Sequence, residues 1–201
     1  MSAAARNPAG NLPAGKVGAT HQPSEAAQPK PAREAGLSLG SNLGHRRAQI
    51  GHALRRLEAE VFAGMEVSSL WETAPFEAVG EQPPYLNLCV VGATSLSPEE
   101  LLARCRNLER QAGRADRSHG LARPLDIDLL YFGEMRREDR ALTLPHPGLA
   151  RRRFVLAPLA ELRPDWRHPA SGRSVRELLG ALDESQAARI VETGDGWWHL
   201  A

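Results

Sequence analysis

Two carboxylates stand at positions i and i+2 inside an otherwise apolar run, Arg123-Pro124-Leu125-Asp126-Ile127-Asp128-Leu129-Leu130-Tyr131-Phe132. Alternation of Leu125, Ile127 and Leu129 with Asp126, Asp128 and Leu130 is the period-2 pattern of a strand. Both aspartates then share one face, about 6–7 Å apart along the backbone. Aspartate is depleted in strands, and neighbouring like charges repel. Two arrangements meet that cost. The face can lie against water or local arginines, or it can offer hard oxygen ligands to Mg²⁺, with substrate phosphates completing the octahedron. Arg114, Arg117 and Arg123 lie just upstream, where they could meet the same phosphates.

At 201 residues the chain is expected to form one domain around a single core. Its 25 basic and 24 acidic residues nearly cancel, which argues against bulk binding to nucleic acid or a membrane surface. Arg46-Arg47 and Arg151-Arg152-Arg153 are only local basic spots. Cys89 and Cys105 fall in apolar-patterned segments without ligand spacing, as reduced core thiols of a cytoplasmic protein do. No apolar run approaches the roughly 18 residues of a membrane span, and the chain opens without a hydrophobic signal region. A cytoplasmic monomer is expected. Met1 to Ala35 is rich in Ala, Pro, Gly and small polar residues, too poor in apolar surface to offset its ordering entropy, and is expected to be a disordered tail.

Gly36 to Gly40 reads as a short strand turned by Ser41-Asn42-Leu43-Gly44, without the glycine spacing of the known nucleotide-binding loops. Ile50, Ala53, Leu54, Leu57 and Val61 recur at helical spacing between Arg46 and Phe62. Met65 to Trp71 is expected to be one strand. The long connection through Pro75, Gly80 and Pro84 is a candidate binding loop. Tyr85 to Thr94 is a further strand, and Ser97-Pro98-Glu99-Glu100 is a capping box opening a helix that ends near Gly113. After the aspartate strand, Met135 to Glu138 suggests a short partner, and Leu149 to Leu162 one helix with Pro158 limiting its regularity. Ser174 to Glu177 is a second capping box. Ile190-Val191 suggests a strand, and the pair Trp197-Trp198 has no assigned role.

The first four strands and two helices follow the order β-α-β-β-α-β. The expected class is therefore α+β, a ferredoxin-like antiparallel sheet with helices on one face and extra C-terminal helices. The expected divisions are 1–35 for the tail, 36–184 for the domain and 185–201 for a C-terminal extension.

Leu39-Gly40-Ser41-Asn42, Tyr85-Leu86-Asn87, Glu109 with Gly113-Arg114, Arg123-Pro124-Leu125-Asp126-Ile127-Asp128 and Leu144-Pro145-His146 occur in that order. Together they resemble the 6-hydroxymethyl-7,8-dihydropterin pyrophosphokinase family of folate biosynthesis. The resemblance implies transfer of the β,γ-diphosphoryl unit of ATP to the pterin's 6-hydroxymethyl oxygen, giving AMP. It implies two Mg²⁺ ions on Asp126 and Asp128, and Arg114 and Arg123 as catalytic residues. Glu109, Arg114, Arg123, His146 and Arg152 would contact ATP. Thr73, Pro75 and Phe76 would supply backbone partners for the pterin, Tyr85 and Phe154 its stacking rings, and Asn87 a hydrogen-bonding partner. Two departures stand out. Ser118-His119-Gly120-Leu121 replaces a loop tryptophan common among relatives, and Pro147 replaces a tyrosine found in some.

Two readings compete with this one. In a non-catalytic binding module the aspartates would only neutralise arginines. In an RNA-binding domain the sheet face would need aromatics and basic residues, where this one carries two acids. The matched stretch occupies about 145 residues, which leaves no room for a fused pathway enzyme within this length.

Overall fold

The computed structural model describes residues 31–114, 120–183, 188–193 and 196–199. Strand β1 (Arg33–Ser41) is an interior strand of the sheet and is buried along most of its length. Helix α1 (Arg46–Glu60) follows, then β2 (Ala63–Val67), β3 (Leu70–Thr73), β4 (Tyr85–Thr94), α2 (Pro98–Gln111) and β5 (Asp126–Phe132). β1 pairs antiparallel with β4 on one side and β5 on the other. β2 and β3 both pair with the far edge of β4. This is the ferredoxin-like order, extended at the β3 edge by β8 (Ala188–Glu192).

The strand expected over Met65 to Trp71 is two strands, because Ser68 and Ser69 interrupt the ladder. The Cys89 N–H, which would pair with a strand carbonyl, instead donates to Ser68 Oγ at 2.9 Å. The Glu161 carboxylate accepts from Ser69 N at 2.8 Å and from Trp71 Nε1 at 2.6 Å. A hydroxyl and a distant carboxylate thus satisfy the backbone groups freed by the break.

Period-2 alternation sends β4 side chains to two cores. Leu88 and Val90 join Leu37, Leu39, Ile127 and Leu129 beneath α1 and α2, through Ile50, Leu54, Leu57, Leu101 and Leu108. Cys89 and Val91 face the other way, with Leu130 and Tyr131, toward Val155, Leu156 and Leu159 of α3 (Arg153–Leu162) and Leu178 of α4 (Val175–Leu179). Both capping boxes are formed, at Ser97 with Glu100 and Ser174 with Glu177. A bulge beside Gly36 breaks the β5 alternation, so Tyr131 joins Leu130 on the α3 side. Its ring fills the place of a Gly36 side chain, since a Cβ there would lie 2.3 Å from Tyr131 Cε1.

The helix expected from Leu149 to Leu162 is broken. A 3-10 turn, Leu149–Arg151, is followed by Arg152 in extended backbone and then by α3. Beyond the aspartate strand, β6 (Arg137–Glu138) pairs with β7 (Thr143–Leu144) as a short separate ribbon. Two strands of the sheet reach beyond residues 36–184. β1 begins at Arg33, and Ala35 is fully buried. At the other end β8 adds to the sheet, and Trp197 and Trp198 belong to the core under α1. The rest of the expected tail, and Arg117 to His119 of the arginine-rich loop, lie outside the described residues.

Candidate active site

α3 covers the sheet face beneath Leu130 but not the first turn of the pleat, where Asp126 and Asp128 emerge. Their face opens into a cavity of about 200 Å³ lined also by Ser38, Gly40, Thr73, Phe76, Glu77, Tyr85, Asn87, Arg114, Gly120, Arg123, His146, Arg152 and Phe154. The structure therefore brings together positions far apart in the chain, from β1, the loop after β3, β4, the segment before β5, β5 itself and the start of α3. Asp128 and His146 also border an adjoining groove of about 280 Å³ with Leu102, Arg106, Ile127, Arg140 and Thr143.

The carboxylates are not equivalent. Asp126 Oδ1 accepts from Arg114, and its Oδ2 lies 3.0 Å from Arg123 Nη1. Asp128 has weaker company, with Arg152 Nη1 at 3.6 Å and His146 Nε2 at 3.7 Å. Burial first, and then the charge of Asp126, pushes the Asp128 carboxyl above the ordinary carboxylate range. Burial likewise pulls the His146 imidazole below its ordinary value. His146 Nδ1 accepts from Gly148 N at 3.0 Å. The neutral ring therefore carries its proton on Nε2, directed toward Asp128.

Arg152 reaches the site because the helix breaks at it and because position 148 is glycine. A Cβ at Gly148 would stand 2.6 Å from Arg152 Nε. The guanidinium lies 5.8 Å from the centre of the Phe154 ring and 3.9 Å from Glu77 Oε2. Glu77 is the one non-glycine residue with positive φ among those described, at 52°, a conformation that costs free energy and concentrates at functional loops.

The opposite wall is polar at its base and aromatic above. Asn87 Nδ2 donates to Thr73 Oγ1 at 2.7 Å. Gly40 leaves space for that amide, since a Cβ there would be 2.7 Å from Asn87 Oδ1. Phe76 and Phe154 meet at 6.1 Å between ring centres, and Tyr85 lines the same space.

Two expected site residues do not line this cavity. Glu109 is buried behind the cavity, where its carboxylate accepts from Ile127 N at 2.8 Å and from Arg114. It braces β5 and Arg114, and it borders a further groove of about 330 Å³ with Arg106, Arg110, Arg114 and Asp128. Pro75 does not line the cavity, although its neighbours Ala74 and Phe76 do. Ser38, Glu77, Arg106 and Arg140 also border these spaces, and only their proximity in the fold marks them.

Paired strand carboxylates with three arginines and an aromatic slot on a ferredoxin-like sheet define a class of phosphate-handling pocket. The comparisons make the class specific. The chain belongs to the 7,8-dihydro-6-hydroxymethylpterin-pyrophosphokinase (HPPK) family, whose model matches residues 36–164. It is 37% identical over 156 residues to the 2-amino-4-hydroxy-6-hydroxymethyldihydropteridine pyrophosphokinase of Synechocystis, covering 77% of this chain and 79% of that protein. It is 36% identical over 181 residues to the mitochondrial folate synthesis bifunctional protein of Arabidopsis thaliana, spanning 82% of this chain but only 32% of that longer relative. A crystal structure of Plasmodium falciparum HPPK-DHPS superposes with a TM-score of 0.61 at 15% identity, covering 77% of this chain and 46% of that one, and bears on the fold alone. No helix among the described residues is long and apolar enough to cross a membrane.

Proposed function

We propose that this protein transfers the diphosphoryl unit of ATP to 6-hydroxymethyl-7,8-dihydropterin in folate biosynthesis. The hydroxymethyl oxygen attacks the β-phosphorus and forms the new O–P bond. The bond between that phosphorus and the α,β-bridging oxygen breaks, AMP leaves with the oxygen, and the hydroxyl proton passes to solvent. The observation that carries the proposal is the placement of Asp126 and Asp128 on one face, between arginines and an aromatic slot.

The donor set suits Mg²⁺. Asp128 is a partly desolvated carboxylate beside a like charge, short of close cationic partners, and Mg²⁺ is commonly held by one or two carboxylates together with substrate phosphates. Asp126 and Asp128 would hold the two ions, which when bound neutralise phosphate charge and orient the reacting oxygens. Arg114 and Arg123, now satisfied by Asp126, would turn their planar forks to phosphate oxygens. Arg152 and the His146 Nε2–H would reach the phosphates from the other side. Asp128 and His146 border both spaces, so the adjoining groove with Arg106 and Arg140 is assigned to the nucleoside of ATP. The pterin is assigned to the slot of Tyr85, Phe76 and Phe154, with Asn87, Thr73 and the loop backbone at its polar edge.

The reading takes a cytoplasmic monomer, in keeping with the free buried thiols of Cys89 and Cys105. Incubation with ATP, the pterin and Mg²⁺ should give AMP and the pterin diphosphate in equal amounts. ADP in place of AMP, or no pterin-dependent turnover, would overturn it.

A further inference from the structure

The groove assigned to the nucleoside is walled by two elements far apart in the chain. Leu102 and Arg106 come from α2, and Arg140 to Thr143 from the turn of the β6–β7 ribbon. That ribbon is slight, with only the rungs Arg137↔Leu144 and Glu138↔Thr143, and a two-stranded pairing alone is at best marginally stable in water. Leu144 is buried in the core and fixes β7. The turn and β6 are held by polar groups instead. Asp139 Oδ1 accepts from Ala141 N at 2.8 Å and from Leu142 N at 3.0 Å, which closes the turn. Asp139 Oδ2 accepts from Arg137 Nε, and Arg137 Nη1 donates to the Glu99 carboxylate in the first turn of α2. The hydrogen bond from Arg137 holds both carboxyls below the ordinary carboxylate range. One half-buried guanidinium thus joins the turn to the helix, and neither it nor Glu99 lines the groove.

Resting on the function proposed above, we infer that Arg137 is a positioning residue for ATP, which sets the spacing of the two groove walls by tying the ribbon turn to Glu99. Without its guanidinium the turn is anchored from the β7 side alone, and Arg140 and Thr143 lose their fixed distance from Arg106. A turn ordered in advance leaves less conformational entropy to be lost when the nucleoside enters. The cavity that takes the pterin draws on no residue of the ribbon from Arg137 to Leu144, so the effect is confined to the nucleotide. Exposed ion pairs add little to global stability. Removing this one therefore acts on ATP affinity and not on the fold, and Arg137 meets no reacting atom that would make it act on the chemical step.

Calorimetric titration of the full chain with the α,β-methylene analogue of ATP and Mg²⁺, and separately with the pterin, tests this. Arg137→Met keeps the aliphatic stem and removes both pairs. Glu99→Gln weakens the tie to α2 and leaves Asp139 to close the turn. Each should weaken binding of the analogue by about three- to fivefold, the scale of an exposed ion pair, and raise the KM for ATP in step. Pterin affinity, kcat with both substrates saturating and melting temperature should change little. Wild-type affinity for the analogue in either variant, or a pterin affinity that falls as far as that for the analogue, overturns the positioning role. A wild type that forms no AMP overturns the function beneath it as well, whereas AMP formation with an unchanged KM for ATP in either variant overturns the inference alone.

Discussion

Arg123 Nη1 stands 3.0 Å from Asp126 Oδ2, with its own Nε held by Leu121 O at 3.1 Å. The guanidinium assigned to phosphate is thus aimed from two directions before any ligand arrives, and such preorganised donors favour the charge that develops on the bridging and leaving oxygens. Arg123→Ala should lower kcat about 10²-fold or more, on the order of 3 kcal/mol, with only a few-fold change in pterin affinity. Arg123→Lys should recover part of the loss, because an ammonium keeps the charge without the fork. Steady-state kinetics with both substrates saturating checks this; unchanged kcat with much weaker pterin binding would move Arg123 into the pterin slot.

Asp128 should weaken the ligand-free protein. Burial and Asp126 raise its folded-state value above the ordinary one, so the unfolded chain ionises first. Stability is lost as pH rises from the ordinary carboxylate value through the raised one, and the loss persists at neutral pH. Asp128→Asn should therefore melt higher than the wild type at pH 7. The gain should vanish below pH of about 4, where both side chains are neutral. Melting curves across that range test the sign.

Glu109→Ala should destabilise by about 1–3 kcal/mol in urea titrations, because the Ile127 N–H and Arg114 each lose a buried acceptor. Glu109→Gln keeps an oxygen for Ile127 and should cost less. A direct ATP contact would instead show as weaker nucleotide binding with unchanged stability.

The aspartate face and both capping boxes were legible in the residues because each is local: alternation within seven residues, and a serine with a glutamate three positions on. What escaped was tertiary. The break between β2 and β3 depends on Glu161 reaching Ser69 and Trp71 from α3, and the break before α3 on an arginine that needs the space of Gly148. Glu109 sits in a helical pattern where nothing local distinguishes a ligand from a brace. Trp197 and Trp198 find their place only against α1, where Trp198 O accepts from Arg55 and Arg47 lies 5.0 Å from the centre of the Trp197 ring.

We propose an N-terminal boundary just before Arg33, where β1 begins. Deletion through Lys30 should leave the melting temperature unchanged. Deletion through Ala35 should lower it, since it removes three paired residues of β1 and the Glu34 carboxylate that accepts from Tyr131 Oη at 2.8 Å and Arg163 Nε at 2.9 Å. Equal melting temperatures for the two deletions would place the boundary after Ala35.

The dependence of AMP formation on Mg²⁺ concentration, measured for the wild type, Asp126→Asn and Asp128→Asn with both substrates saturating, bears most directly on the role of the aspartate face. Each substitution should lower kcat by about 10²-fold or more with the fold intact, and part of the loss should return as Mg²⁺ is raised. Near-normal kcat in either variant at limiting Mg²⁺ would contradict the assignment of that face to the metal and the triphosphate.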